Sequence, residues 1–195
     1  ERAGVRGTPA NDLFSEAETT EASETSTPTR TPGYDTILTW EAFSTWLTRV
    51  EAAELVAVDT ETTSLDEMVA QIVGISFSVT PGEAAYIPLR HSYAGAADQL
   101  PLDEVLALLK PWLEDPSALK LGQNIKYDTH VFANAGVKVQ GYVHDTMLQS
   151  YVLEAHKPHS LESLADRHLG RKGLSFEDLC GKGVHQISFA QVEIE

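Results

Sequence analysis

The sequence predicts an α/β fold in which a mixed sheet is flanked by helices. Three apolar segments, at residues 55–58, 72–79 and 85–89, are typical of an antiparallel meander. After them the apolar spacing becomes helical, and helices alternate with short extended segments. With 195 residues, of which 42% are hydrophobic, the chain can bury a substantial core, which excludes a wholly disordered protein.

The meander has a distinct pattern in each part. Residues 55–58 form a continuous apolar run, as expected for a strand buried on both faces. Residues 72–79 alternate between apolar and small or polar side chains, which indicates a half-buried strand. Pro81 and Gly82 then suit the two central positions of a type II turn, which leads into the third strand.

Helical patterns occur before and after the meander. Thr39 is a suitable N-cap for a first helix that begins at Trp40. Four later segments have the spacing of helices: 102–113, 124–135, 145–155 and 160–169. Short extended segments are expected at 119–121 and 137–143. The capping-box pattern Ser188-x-x-Gln191 predicts a last helix of about two turns.

The first 33 residues differ in composition from the rest of the chain. They are rich in Thr, Ser, Glu and Pro, and their only large apolar residues are Val5, Leu13 and Phe14. So few apolar side chains cannot offset the entropy lost on folding. We therefore expect residues 1–33 to be a disordered linker, cut from a longer protein, and residues 34–195 to be the folded domain. A native flexible tail is the alternative.

Charge and cysteine content exclude several classes of protein. The net charge of −15 argues against a nucleic-acid binder that relies on a basic surface. It leaves open an enzyme that holds nucleic acid through divalent metal ions. Residues 120–185 carry a net charge of +1 and the rest of the chain −16, so this part is the more favourable surface for an anionic ligand. Cys180 stands alone, which excludes an internal disulfide and indicates a reducing compartment. There is no apolar run long enough for a membrane span.

Two carboxylates near the end of the first meander strand are the clearest candidates for chemistry. Asp59 and Glu61 are two residues apart, so their side chains point to the same face of a strand. Like charges repel there, and hard divalent cations such as Mg²⁺ or Mn²⁺ relieve that repulsion. The alternative is a strand end where two acids meet solvent or cap a turn, and the short pattern alone favours that ordinary interpretation.

A second polar pair lies on a predicted helix. Asn124 and Asp128 are four residues apart and would share one face, which Phe132 continues toward the core. An acid on an inward face needs a partner, and a metal ion held with Asp59 and Glu61 would provide one. The pattern fits equally well an Asn near a helix N-terminus and a solvent-facing Asp.

Other reactive residues give weaker signals. His156 and His159 lack the cysteine or acid that would complete a zinc site, so we expect ordinary surface histidines. Residues 181–183 are too short for a phosphate-binding loop and are expected to form a turn. Cys180 is expected to pack as a small hydrophobic residue.

Four segments of the chain combine into a recognisable set. They are VAVDTETTSL, LGQNIKYD, HDTMLQSYVL and SFEDLCGKG, which begin at residues 56, 121, 144 and 175. In this order they resemble the 3′–5′ proofreading exonuclease domain of bacterial DNA polymerase I, in polymerase family A, over residues 34–195. The resemblance implies a ribonuclease H-like fold and the release of deoxynucleoside monophosphates from single-stranded or frayed 3′ ends of DNA.

The resemblance also implies roles for individual residues. In the family, four acids hold two divalent ions, Mg²⁺ or Mn²⁺, about 3.5–4 Å apart. Asp59 matches the acid that bridges both ions, Glu61 the ligand that also orients the attacking water, and Asp128 the acid that serves the second ion. The residues that match the substrate-binding cleft are Thr62, Leu65, Gln123, Asn124, Lys126, Tyr127, Met147 and Phe176.

One motif of the family is missing from the 195 residues. The family uses Tyr-x-x-x-Asp for its fourth acid, and none of the 6 tyrosines has an Asp four residues later. The family carries this motif on the helix that Ser188 is expected to open. We therefore expect a C-terminally truncated domain whose isolated chain is a weak or inactive exonuclease. The implied partners are a single-stranded DNA 3′ end and the polymerase domain of a parent chain, in the bacterial cytoplasm and associated with the nucleoid.

Two other functions stay open. One is a ribonuclease D-like enzyme that acts on RNA 3′ ends, and the other is an exonuclease-inactive domain that supports a polymerase. The detail of the four motifs favours the polymerase family. The presence of Asp59, Glu61 and Asp128 argues against an abandoned site, which has no need of three mutually repelling carboxylates.

Overall fold

The computed structural model describes residues 33–194 of the chain. The predicted linker lies outside these residues, apart from Gly33, which already belongs to the first strand. The strands are β1 (Gly33–Thr36), β2 (Val56–Thr62), β3 (Ile72–Thr80), β4 (Glu83–Pro88), β5 (Lys120–Gly122) and β6 (Tyr142–Asp145). The α-helices are α1 (Trp40–Ala52), α2 (Leu102–Leu113), α3 (Ile125–Asn134), α4 (Thr146–Glu154), α5 (Leu161–Leu169) and α6 (Phe176–Cys180). Two 3₁₀ turns follow, at Gly183–His185 and Phe189–Gln191.

The strands of the described region form one mixed sheet in the order β1-β4-β3-β2-β5-β6. β2, β3 and β4 pair antiparallel, as the meander predicted, whereas β1, β5 and β6 run parallel to their neighbours. Gly82 has a φ of 87° in the turn between β3 and β4, a conformation that favours glycine. The predicted α/β class with a mixed sheet is confirmed.

The alternation of β2 separates the core from the candidate site. Val56 and Val58 are buried and belong to the same hydrophobic core as Phe132 of α3. Asp59 and Glu61 therefore lie on the opposite face of the strand. The register is well fixed, because a slip of one residue would move both acids into the core.

Several local predictions differ from the structure. β2 extends to Thr62, because its outer half pairs with β3 and keeps both acids inside the strand. Within the segment 137–143, only the last two residues join β6. Ser188 does cap as predicted, but the helix that follows is only one 3₁₀ turn. The carbonyl of Ala190 accepts a hydrogen bond from another segment instead of continuing a helix. In the part of the chain that is described, no helix has the length and apolar character needed to cross a membrane.

Candidate active site

A cleft of about 310 Å³ lies beside the outer half of β2. Its walls come from β2 and the loop after it, from the first turn of α3, from α6 and from residues 186–189. Eight residues that the sequence predicted for the site line this cleft: Asp59, Glu61, Thr62, Leu65, Gln123, Tyr127, Asp128 and Phe176. Segments far apart in the chain therefore converge on one cleft.

Asp128 is joined directly to β2. Asp128 is 2% exposed, and one oxygen of its carboxylate accepts hydrogen bonds from the backbone N–H and the hydroxyl of Thr60, at 3.1 and 2.6 Å. Thr60 stands between Asp59 and Glu61 in the strand. These two bonds fix the first turn of α3 against the strand that carries the other two acids.

The three acids share an environment that disfavours their charges. Burial raises the pKa of Asp59 to about 6 and that of Asp128 to about 7. Burial and the charges of the other two acids raise the pKa of Glu61 to about 7. Asp59 faces the open cleft, yet the protein around it removes much of its hydration. None of the ion pairs formed within residues 33–194 includes these acids, so the group can accept a proton or a cation.

The loop after β2 is held to α3 by Tyr127. The Tyr127 hydroxyl donates to the carbonyl of Ser64 and also bonds the hydroxyl of Thr62. This contact supports Leu65, whose side chain is 82% exposed at the cleft. A large apolar side chain held in the open on a fixed loop is suited to contact with the flat face of a base.

Three of the predicted cleft residues do not line it. Asn124 has a φ of 58° and precedes α3 as its N-cap, so the prediction that it shares a helix face with Asp128 is wrong. A residue in the left-handed conformation does not follow the helical periodicity. The i, i+4 spacing in the sequence could not reveal that conformation. Lys126 is exposed on the first turn of α3, and Met147 is half-buried at the start of α4. The substrate contacts of all three stay predictions.

Asp145 is a structural residue of the site that the sequence analysis did not single out. Its carboxylate accepts backbone N–H bonds from Asn124 and Ile125 at the start of α3, at 3.2 and 3.0 Å. It also accepts from Met147 and Leu148 at the start of α4, at 2.9 and 3.1 Å. One side chain therefore caps two helices. Its position just before a helical pattern was the sequence feature that could have identified it as an N-cap.

His159 is not the surface histidine that the sequence predicted. Its Nδ1 bonds the Ser150 hydroxyl at 2.7 Å, and its ring lies 3.6 Å from that of Tyr151, centroid to centroid. Its carbonyl accepts a bond from the side-chain amide of Gln123 at 2.8 Å. His159 thus holds the α4–α5 loop against a cleft residue. The expectation for Cys180 is confirmed, since it is 1% exposed.

Comparison with known proteins identifies the domain. A family model described as a 3′–5′ exonuclease matches residues 34–192. The chain belongs to this exonuclease family. It is 50% identical over 190 residues to DNA polymerase I of Pseudomonas aeruginosa, covering 95% of this chain and 21% of that protein. It is 37% identical over 180 residues to DNA polymerase I of Rhizobium leguminosarum, covering 83% and 18%. The exonuclease domain therefore spans about a fifth of the length of the curated relatives it matches.

Solved structures share the fold of this exonuclease domain. The POL domain of Pol1 from M. smegmatis, in complex with DNA primer-template and dNTP, is similar with a TM-score of 0.58 at 22% identity, covering 70% of this chain and 23% of that one. Escherichia coli RNase D is similar with a TM-score of 0.52 at 23% identity, covering 72% and 34%. The fold expected from the resemblance is thereby confirmed.

Four consecutive residues near the end of the described region also line the cleft: Gln186, Ile187, Ser188 and Phe189. The sequence predicted only that a helix opens within this segment, at Ser188. The sequence around Phe189 has no periodicity that could place this residue beside the acids. Its position depends on contacts between distant segments, such as the hydrogen bond from the N–H of Ser92 to the carbonyl of Ala190.

Proposed function

We propose that this domain removes nucleotides from the 3′ end of single-stranded or frayed DNA by two-metal hydrolysis. Asp59, Glu61 and Asp128 would hold Mg²⁺ or Mn²⁺. The observation that carries the proposal is the meeting of three acids with raised pKa values in one cleft. Such oxygen ligands fit hard divalent cations, and their mutual repulsion favours a bound cation.

Each acid has a distinct task in this proposal. When bound, the ions would supply an activated water and would stabilise the charge on the leaving 3′ oxygen. Asp59 would hold both ions, Glu61 would hold an ion and orient the attacking water, and Asp128 would hold the second ion. No three His, Cys, Asp or Glu side chains within residues 33–194 already stand in a metal-binding cluster, so we expect binding to draw the carboxylates together. Leu65 and Phe176 would pack against the terminal bases.

The wider setting of the domain is part of the proposal. The relatives are DNA polymerases that are about five times as long, so we propose that a polymerase domain of the parent chain delivers the strand end. The place of action would be the bacterial cytoplasm, at the nucleoid. A fourth acid is expected from a Tyr-x-x-x-Asp motif, which these 195 residues do not contain. We therefore propose that the isolated chain is at most a weak nuclease.

The test is nucleotide release from 3′-labelled single strands with magnesium or manganese. We expect slow release of deoxynucleoside monophosphates from DNA, abolished in Asp59→Ala, and fast release once a longer polypeptide supplies the missing acid. Rapid cleavage by the 195-residue chain would contradict the need for that acid. Preference for a matched RNA strand would favour the ribonuclease D-like alternative.

A measurement of the thermal shift on adding manganese distinguishes a site that binds metal from a purely structural domain. Metal at 100 times its dissociation constant stabilises a folded protein by about 2.7 kcal/mol. The native chain should gain stability of this order from manganese, and Asp59→Ala should gain much less. An equal or absent gain in both would support the exonuclease-inactive alternative.

A further inference from the structure

We propose that His91 is a positioning residue of the exonuclease site, which fixes residues 186–192 so that 186–189 form a wall of the cleft against which unpaired bases pack. We call residues 186–192 the cleft strap. The nature of the strand rests on the proposed function, whereas the clamping of the strap rests on the contacts below. His91 lies in the loop between β4 and α2, far from the motifs that the sequence analysis recognised.

The cleft strap has little structure of its own. It follows α6, contains one 3₁₀ turn, and buries no residue of that turn. Its only backbone bond to α6 runs from the N–H of Ile187 to the carbonyl of Cys180, at 2.8 Å. Phe189 nevertheless lies in the same cleft as the acids. Contacts from elsewhere must therefore set its place.

Residues 91–93 provide those contacts. The N–H of Ser92 donates to the carbonyl of Ala190 at 2.7 Å. Nδ1 of His91 bonds the carbonyl of Val192 at 3.0 Å, and its ring stands 6.0 Å from that of Phe189, centroid to centroid. Just beyond the strap, the N–H of Ile194 donates to the Tyr93 hydroxyl at 3.3 Å.

The two bonds of His91 define its tautomer. A carbonyl only accepts, so Nδ1 carries the hydrogen that the Val192 carbonyl receives. Burial lowers the pKa of His91 and so favours the neutral ring, in which Nε2 accepts from the Tyr86 hydroxyl at 2.7 Å. The ring therefore joins strand β4 on one side to the strap on the other.

The contact between His91 and Tyr86 also connects the strap to the strand that carries Glu61. Gly74 of β3 pairs with Glu61 of β2, and the Tyr86 side chain lies over Gly74. A Cβ at Gly74 would stand 2.1 Å from the Tyr86 hydroxyl, so glycine makes room for this tyrosine. The strap and the acid that would orient the attacking water thus share one support.

Two substitutions of His91 distinguish its bond to Val192 from its bond to Tyr86. His91→Asn places an amide N–H near the position of Nδ1 and keeps the bond to the strap. His91→Gln reaches toward Tyr86 and loses the bond to Val192. His156→Gln, on an exposed histidine that does not line the cleft, is the matched control.

Hydrogen exchange tests the clamp without metal or DNA. In His91→Gln, we expect the Ser92 amide to exchange about tenfold faster, because its acceptor moves with the strap, while β2 and β3 amides keep native rates. His91→Asn and the control should stay within about threefold of native. Native exchange of Ser92 in His91→Gln, or equal loss in the Asn and Gln variants, would overturn the clamp. If His91→Gln does not fold, Tyr93→Phe is the second test. The proposal then requires the Ile194 amide to exchange faster in Tyr93→Phe than in the native chain.

Binding of a fluorescent oligothymidylate with manganese tests the role of the wall. We expect about tenfold weaker binding in His91→Gln and near-native binding in His91→Asn. Faster Ser92 exchange with unchanged affinity would show that the strap does not hold the strand, and would overturn that role. If the native chain binds no single strand, the proposed function fails, and exchange alone decides whether the strap is clamped.

Discussion

At pH 8 and without divalent ions, Asp128→Asn is expected to melt about 5 °C higher than the native chain. Burial raises the pKa of Asp128 to about 7, so the folded state holds its negative charge at a cost above that pH. The amide oxygen of Asn can still accept the two bonds from Thr60. The substitution therefore removes the unfavourable charge and keeps the contact.

The pH dependence gives the sign of this effect. Between about pH 4 and pH 7 the folded state binds a proton at Asp128 that the unfolded state has released, so native stability falls as pH rises through this range. The advantage of Asp128→Asn should be absent near pH 4 and complete at pH 8. Differential scanning calorimetry in a chelator, with Asp98→Asn as an exposed control, measures it.

Manganese should reverse the order of stability. The native chain gains from ions that bind its folded state, whereas the variant has lost one proposed ligand and should gain less. An Asp128→Asn variant that is less stable than native at pH 8 in chelator would contradict the prediction. It would show that the Thr60 contact needs the charge and that Asp128 is a structural acid.

Asp145→Ala is expected to destabilise the fold by about 2 kcal/mol, because one carboxylate caps both α3 and α4 and each cap contributes about 1 kcal/mol. Four backbone N–H groups lose their acceptor at a side chain that is 8% exposed. Urea unfolding should show a lower midpoint with an unchanged slope.

A weaker cap elsewhere provides the comparison for Asp145. Asp178 closes the exposed capping box of α6 with Ser175, so Asp178→Ala should cost less than about 1 kcal/mol. Asp145→Asn keeps the oxygen that receives three of the four bonds and should lie between the two. A loss below 1 kcal/mol in Asp145→Ala would contradict the view that it positions α3.

The sequence predicted those parts of the site that depend on local periodicity. Asp59 and Glu61 share a face because strand side chains alternate, and this holds wherever the strand lies. The same reasoning was wrong for Asn124, because it is a left-handed N-cap that lies before the helical period begins at Ile125. The prediction for His159 was also wrong, since its ring and carbonyl find partners eight or more residues away.

The sequence by itself determined the α/β class, the same-face pair of acids and, through four motifs, the exonuclease family. Only the tertiary structure decided that Asp128 bonds Thr60, that Asp145 caps two helices, and that His91 holds the cleft strap. The physical reason is the separation of the interacting residues along the sequence. Alternation and capping are set by neighbours within a few residues, whereas these three contacts join segments 20 to 101 residues apart, and nothing in the local sequence specifies their distance in space.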